Sequence, residues 1–274
     1  MANTSKPTTA KKNSSSGIFA SLSIVLCIAI GVLLWKFVMG SPANFEGGDP
    51  ENGHPLPGNY FGMVYKGGYV VPVLIGMLLM VIVFSLERFF VINEASGKGD
   101  MDLFIRKIKT HLNSSNIDSA ISECDKQKGS VANVIRSGLK KYKEMEVETS
   151  MDTEQKCLAI QKDIEEATSL EMPMLEKNLT VIATLVSIGT LMGLLGTVTG
   201  MIKAFAALST AGSPDQAALA NGISEALINT ATGISTSALA IIMYNIFTSK
   251  IDTLTYSIDE AGFSIVQTYA STHK

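Results

Sequence analysis

Four apolar runs, residues 18–39, 69–92, 179–208 and 221–248, are each long enough to cross a bilayer as a helix. No other feature constrains the fold as strongly, because hydrocarbon offers no partner to an unpaired backbone N–H or C=O. The fold expected is an all-α integral membrane protein: three core transmembrane helices, an extra N-terminal transmembrane helix and a helical cytoplasmic region. Composition agrees, with 46% hydrophobic and 17% charged residues and a mean hydropathy of +0.27. A net charge of −3, with no basic stripe interleaved with aromatics, argues against a nucleic-acid partner. Cys27 falls in an apolar run and Cys124 and Cys157 in the charged middle segment, which is no disulfide framework and suits a reducing compartment for the latter two.

Sidedness follows from where lysine and arginine collect. The stretch from Glu94 to Asn178 holds 13 of them, and Lys6, Lys11 and Lys12 precede the first run. The 41–68 stretch offers Lys66 against Glu46, Asp49 and Glu51, and Ser209–Ala220 has no basic residue. The expected order is a cytoplasmic tail (1–17), the extra span (18–39), a periplasmic loop (40–68) and the first core span (69–92). A helical cytoplasmic region (93–178), two further spans (179–208 and 221–248) joined by a periplasmic turn (209–220), and a cytoplasmic tail (249–274) complete it. Lys11 and Lys12 before an apolar run also describe a secretory signal; the absence of a convincing small-residue cleavage site favours an uncleaved anchor. The loop sequence SPANFEGGDPENGHPLPGN reads as irregular.

Within the charged middle segment, Met101, Phe104, Ile105, Ile108 and Leu112 keep helical spacing. So do Val131, Val134, Ile135, Leu139 and Tyr142, after a cap placed at Ser130. A third polar helix is expected from about Met151 through Leu158, Ile164 and Ala167, with Pro173 a point of bending or interruption. The bulk of this region, where 16 acidic residues mix with the basic ones, reads as a solvated helical surface.

The last two spans differ from the first two in kind. Thr190, Gly193, Thr197, Gly200 and Ala204 form one narrow face, and Ala226, Thr230, Gly233 and Ser237 form another. Two readings of these faces stand. They are packing surfaces whose hydroxyls bond back to their own helices, or they line an aqueous pathway built from several copies. Glu225 bears on the choice, since a carboxylate in the apolar zone costs about 2.5–3.5 kcal/mol. It is a hydrogen-bonded interhelical contact or a titratable group that helps protons or cations enter, with Asn229 and Thr232 continuing its face. Lys203 is expected to snorkel to the headgroups, with pairing to Glu225 the alternative.

No histidine or carboxylate lies near the middle of any span; His54, His111 and His273 all fall outside them. A chain of this kind does not relay a proton alone; if it conducts, a titrating group at mid-membrane has to come from another polypeptide. The same absence argues against an intramembrane serine protease. No metal-ligand cluster, phosphate loop or CxxC pair occurs, so no enzyme activity, catalytic residue, metal or cofactor is expected.

GLLGTVTGMIKAF (Gly193 to Phe205), GISEALINTATG (Gly222 to Gly233) and IIMYNIF (Ile241 to Phe247) together resemble the ExbB/TolQ/MotA proton-channel family, most closely its ExbB and TolQ branch. VPVLIGMLLMVIVFSLERFFVI, with Leu86 to Phe89 at its end, resembles the family's first core helix, and the likeness runs over about residues 69–250. It implies a homopentamer in the bacterial inner membrane enclosing an ExbD-like or TolR-like single-span partner that supplies the protonated aspartate. By position, the resemblance makes Thr197 and Thr230 pore-facing threonines and Glu225 the pore-associated glutamate, with Thr190, Gly193, Gly200, Gly233 and Ser237 on the packed pore face. The function implied is coupling of the proton gradient to TonB-dependent transport across the outer membrane through a TonB-like protein. The alternatives are a TolQ-like envelope or gliding-motility motor, and a structural membrane scaffold. Three departures stand out: the extra N-terminal span, Leu239 where many such sequences carry proline, and Lys203 at a commonly neutral position.

Overall fold

The computed structural model describes residues 15–51, 53–209 and 216–273. Among the described residues there are nine α-helices. They are α1 (Ser15–Leu33), α2 (Tyr60–Tyr65), α3 (Val71–Ser96), α4 (Met101–Asn113), α5 (Ile117–Gln127), α6 (Gly129–Val147), α7 (Thr153–Glu176), α8 (Leu179–Ser209) and α9 (Gln216–Thr272). Four helical stretches are long and apolar enough to cross a membrane: Ala20–Met39, Gly68–Asn113, Thr153–Ala206 and Leu219–Thr272. The chain divides into two compact units, one of residues 1–83 and 187–237 and one of 84–186 and 238–274. Helices α3, α8 and α9 contribute to both. Most of the tail at 1–17, including Lys6, Lys11 and Lys12, and half of the turn at 209–220 lie outside the described residues.

In the first unit, α1 approaches α3 through glycine. A Cβ on Gly31 would lie 2.6 Å from the Pro72 carbonyl oxygen and 2.8 Å from the Gly76 nitrogen. Such backbone proximity is how transmembrane helices gain dispersion contact when lipid is as apolar as their side chains. Beyond Leu33 the helix widens into a π turn, Leu34–Met39. There Trp35 stacks on Tyr65 with ring centroids 4.7 Å apart and donates Nε1–H to the Tyr65 carbonyl at 3.2 Å.

The loop that follows is ordered, contrary to its irregular composition. Asn44 Nδ2 donates to the Val38 and Met39 carbonyls, each at 2.9 Å, satisfying acceptors that a helix end leaves open. Phe45 is buried with its ring edge-on to Tyr65 at 5.5 Å. Asn59 then accepts from Gly62 N at 3.1 Å and caps α2. Side-chain amides of two asparagines thus do what regular secondary structure does elsewhere.

In the second unit, α4 to α7 follow one another as amphipathic helices. Phe104, Ile105, Ile108 and Leu112 of α4 are buried, as are Val131, Val134, Ile135, Leu139 and Tyr142 of α6. Helix α6 starts at Gly129, not after a cap at Ser130. Lys128 is its N-cap, with no side-chain hydrogen bond, and Ser130 is buried in the first turn. Helix α7 opens on a capping box in which Asp152 Oδ1 accepts from Gln155 N at 2.7 Å.

Pro173 does not end α7. The break comes at Lys177–Asn178, where Asn178 takes φ 63°, a left-handed conformation that asparagine tolerates better than most residues. Burial explains the position. Arg88 of α3, only 2% exposed, donates Nη1–H to the Met174 and Leu175 carbonyls at 3.0 and 3.1 Å, acceptors in the last turn of α7. The guanidinium also pairs with Glu87, whose other contact is Asn178 Nδ2 at 3.3 Å.

The segment at 249–274, read from the sequence as a tail, is helical through Thr272. Ile251, Leu254, Ile258, Ala261, Ile265 and Tyr269 are buried at spacings of three and four. Tyr269 donates its hydroxyl to the Met145 carbonyl at 2.8 Å, and Lys109 reaches Glu260 at 2.6 Å.

Candidate ion pathway

Within the first unit, α8 and α9 run antiparallel along a seam of small residues. A Cβ on Gly200 would lie 2.8 Å from Ala226 N and 2.9 Å from Gly222 O, and one on Gly193 would lie 3.1 Å from Asn229 O and 3.2 Å from Gly233 Cα. Gly189 meets Ser237 and Gly233, and Gly222 meets Ala204, further along the same line. The order of these pairs, ascending in one helix and descending in the other, fixes the antiparallel register. The glycines are all buried, and only hydrogen at Cα permits the approach.

The two faces singled out in the sequence are therefore turned toward each other within one chain. Their glycines are packing residues, and Thr190 Oγ1 donates to the buried Ser237 Oγ at 2.9 Å. Thr197 and Thr230 meet hydroxyl to hydroxyl across the seam. Each oxygen also lies 3.2 Å from a carbonyl of its own helix, Thr197 from Gly193 O and Thr230 from Ala226 O; with one proton apiece, one hydroxyl donates across the pair while the other is free to donate back to its helix. Both threonines are half-buried, so the pair sits at the edge of the seam and remains reachable from beside it. Each hydroxyl has two lone pairs and a rotatable proton, which makes the pair a weak, exchangeable hydrogen-bonding site.

Farther along the same seam lies the carboxylate. Lys203 Nζ is 2.6 Å from Glu225 Oε1, with side-chain exposures of 53% and 11%. The pairing that the sequence left open is made. Asn229, one turn along α9 from Glu225, is fully buried and donates Nδ2–H to the Gly67 carbonyl at 2.9 Å. Thr232 donates to Ile228 O at 2.8 Å and extends no polar contact across the seam. The turn before α3 lies against Glu225: a Cβ built on Gly68, at φ +78°, would meet the carboxylate oxygen, so a side chain there would have to displace the glutamate.

In the second unit, a cavity of about 300 Å³ is lined by Glu176, Thr180, Tyr244, Thr248 and Asp252 together with Leu179, Ala183 and Ile251. Thr248 Oγ1 is buried there without a hydrogen-bond partner. Among the described residues no cluster of three or more His, Cys, Asp and Glu side chains is placed to hold a metal ion. Outside the spans, burial pushes the Cys124 thiol up to about 12, and burial likewise raises the hydroxyl of Tyr142. Lys126 and Lys107 hold the Glu123 carboxyl below its ordinary range.

Sequence reasoning did not give Asn229 its hydrogen bond to Gly67, nor Arg88 its place at the end of α7. An arginine beside a glutamate at the end of an apolar run, followed far downstream by an isolated Lys-Asn after a helical stretch, was the available signal for the second. For the first, the signal was a Gly-Gly pair just ahead of a span.

Four long apolar helical stretches in an all-helical chain define an all-α integral membrane protein. Residues 126–260 match the model of the MotA/TolQ/ExbB proton channel family, and the matched part holds the whole seam. The Tol-Pal system protein TolQ of Pseudomonas aeruginosa is 32% identical over 124 residues, 45% of this chain and 54% of that protein. The putative biopolymer transport protein ExbB-like 3 of Synechocystis is 32% identical over 88 residues, 31% and 42% of the two chains. The biopolymer transport protein ExbB of Salmonella typhimurium is 31% identical over 85 residues, 31% and 35%. The chain thus spans about half or less of the length of these relatives.

Proposed function

We propose that this chain is the multi-copy subunit of a proton-driven motor in the bacterial inner membrane, of the ExbB–ExbD kind, coupling the proton gradient to TonB-dependent transport across the outer membrane. The observation that carries the reading is the Thr197–Thr230 hydroxyl pair, half-buried at the edge of a glycine seam, in a chain with no acid or histidine near the middle of a span. Hydroxyls pass protons along hydrogen bonds but do not store one at neutral pH. A second polypeptide has to supply the group that does. A single-span ExbD-like or TolR-like helix carrying an aspartate fits that need, enclosed by a ring of copies, five by family resemblance, with both termini cytoplasmic. Each proton crossing 100 mV releases about 2.3 kcal/mol, so useful work requires repeated steps of the inner helices within the ring.

A TolQ-like envelope motor is the second reading, favoured by the longer matching stretch, 124 residues with TolQ against 85 with ExbB. Both share the same pathway. A purely structural scaffold would use the seam for packing alone. Thr197→Val and Thr230→Val separate these: valine fills the same volume without a hydroxyl, so the complex should still assemble. Gradient-driven proton uptake into vesicles is expected to fall at least tenfold in either variant. Full uptake in both would remove the two hydroxyls from the pathway and leave the seam a packing surface.

A further inference from the structure

The seam needs no lysine to pack, yet Lys203 is drawn onto Glu225 at 2.6 Å. Three contacts enclose that carboxylate. The Gly67–Gly68 turn covers one side, pinned there by the hydrogen bond from fully buried Asn229 to Gly67 O. Helix α9 carries it, and the ammonium of Lys203 pairs with its Oε1. The glutamate side chain is 11% exposed whereas the lysine is 53% exposed, so the ammonium is the more accessible member of the pair.

We propose that Lys203 is a specificity-determining residue of the pathway: its ammonium stands where a metal cation would bind to Glu225 and thereby keeps the pathway closed to sodium. The proposal rests on the channel reading above and adds the ion that is refused. A sodium ion must shed part of its water and gather several oxygen ligands at the carboxylate, and rings of carboxylates at a channel mouth are a common way to admit such cations. Here the carboxylate is already neutralised by a tethered cation whose effective concentration, on the order of millimolar or more, does not dilute away. A proton needs no coordination shell and passes along hydroxyls and water without displacing the ammonium. Lysine, a compact point charge on a flexible stem, is suited to this place. In a ring of copies the arrangement repeats, so each mouth carboxylate is matched by one ammonium.

The test uses the complex purified with its single-span partner and reconstituted into vesicles, with proton uptake followed by an internal pH dye and sodium uptake by radioactive tracer under an imposed potential. Lys203→Met is expected to raise sodium uptake at least tenfold above wild type, Lys203→Arg to remain sodium-tight, and the Lys203→Met/Glu225→Gln double variant to return to the wild-type sodium level. Lys203→Met with sodium uptake unchanged overturns the proposal, as does a double variant that leaks as much as the single one. Should Lys203→Met not assemble, Glu225→Gln decides: it leaves an unpaired ammonium and is expected to lower proton uptake several-fold with sodium at background. Sodium entering through Glu225→Gln overturns the assignment. Wild-type vesicles that take up neither ion would refute the channel reading itself, a failure distinct from a sodium-tight Lys203→Met.

Discussion

Arg88 shows how far one side chain can determine where a helix stops. Its guanidinium satisfies two carbonyls at the end of α7 and one carboxylate beside it, in a setting 2% exposed. Removing one member of a buried charged cluster strands the others, typically at about 3–5 kcal/mol. Arg88→Met is therefore expected to lower the thermal midpoint of the purified protein in detergent sharply. Arg88→Lys should rescue little, because an ammonium cannot reproduce the planar fork. Cys124 makes a second prediction at this scale. With its thiol pushed up to about 12, roughly one molecule in ten thousand carries a thiolate at pH 8. Maleimide is expected to spare Cys124 in the folded protein and to react first at the partly exposed Cys157. The folded state keeps a proton that the unfolded chain releases near its ordinary value of about 8.5, so stability contributed by this thiol is full below that pH. It declines between there and pH 12, by about 1.4 kcal/mol per unit. Tyr142, raised in the same direction by burial, adds to the decline above pH 10. Cys124→Ala should flatten the alkaline slope of unfolding followed by circular dichroism.

At the scale of elements, the helices themselves were largely legible, because a long apolar run and a three-four periodicity each have one economical solution. Phe104, Ile105, Ile108 and Leu112 fall inside as their spacing requires. What the sequence hid were contacts between residues far apart in it. The glycines of α8 and α9 stand out as small faces, but small faces pack equally well within a chain or between chains, and only the close approach of Gly200 to Ala226 and Gly222 shows the former. The Lys203–Glu225 pair depended on the same register. The loop after α1 looked irregular because its order comes from asparagine side chains and one buried phenylalanine, not from any periodic pattern. The end of α9 was missed for a different reason: its buried positions are diluted by Thr, Ser and Asp, and the apolar rhythm from Ile251 to Tyr269 emerges only when read across the end of the span. Two outcomes follow. Gly200→Val, which places methyl groups where Ala226 N already lies, is expected to cost about 1–3 kcal/mol through overpacking, visible as lost thermal stability. Truncation after Lys250 removes six buried apolar side chains of α9 and should leave α4–α7 open to limited proteolysis.

For the whole molecule, the seam accounts for part of the polar surface in the membrane and leaves the rest to be covered. The Thr197–Thr230 pair is half-buried in the single chain, and one flank of α8 exposes Leu191, Leu194, Val198, Ile202 and Phe205. A leucine-rich flank is at home in lipid, whereas a hydroxyl pair gains from a neighbour with a hydrogen bond to offer. A ring of copies around a visiting helix meets both conditions, with α1, which packs on α3 through Gly31 and Gly76, an addition that the family match at 126–260 does not include.

The stoichiometry of the complex purified from native membranes, measured by mass spectrometry of the intact assembly, tests this account most directly. Several copies of this chain together with a smaller single-span protein bearing an acidic residue in its span are the expected composition. A lone chain, or a homomer carrying no such companion, would contradict it.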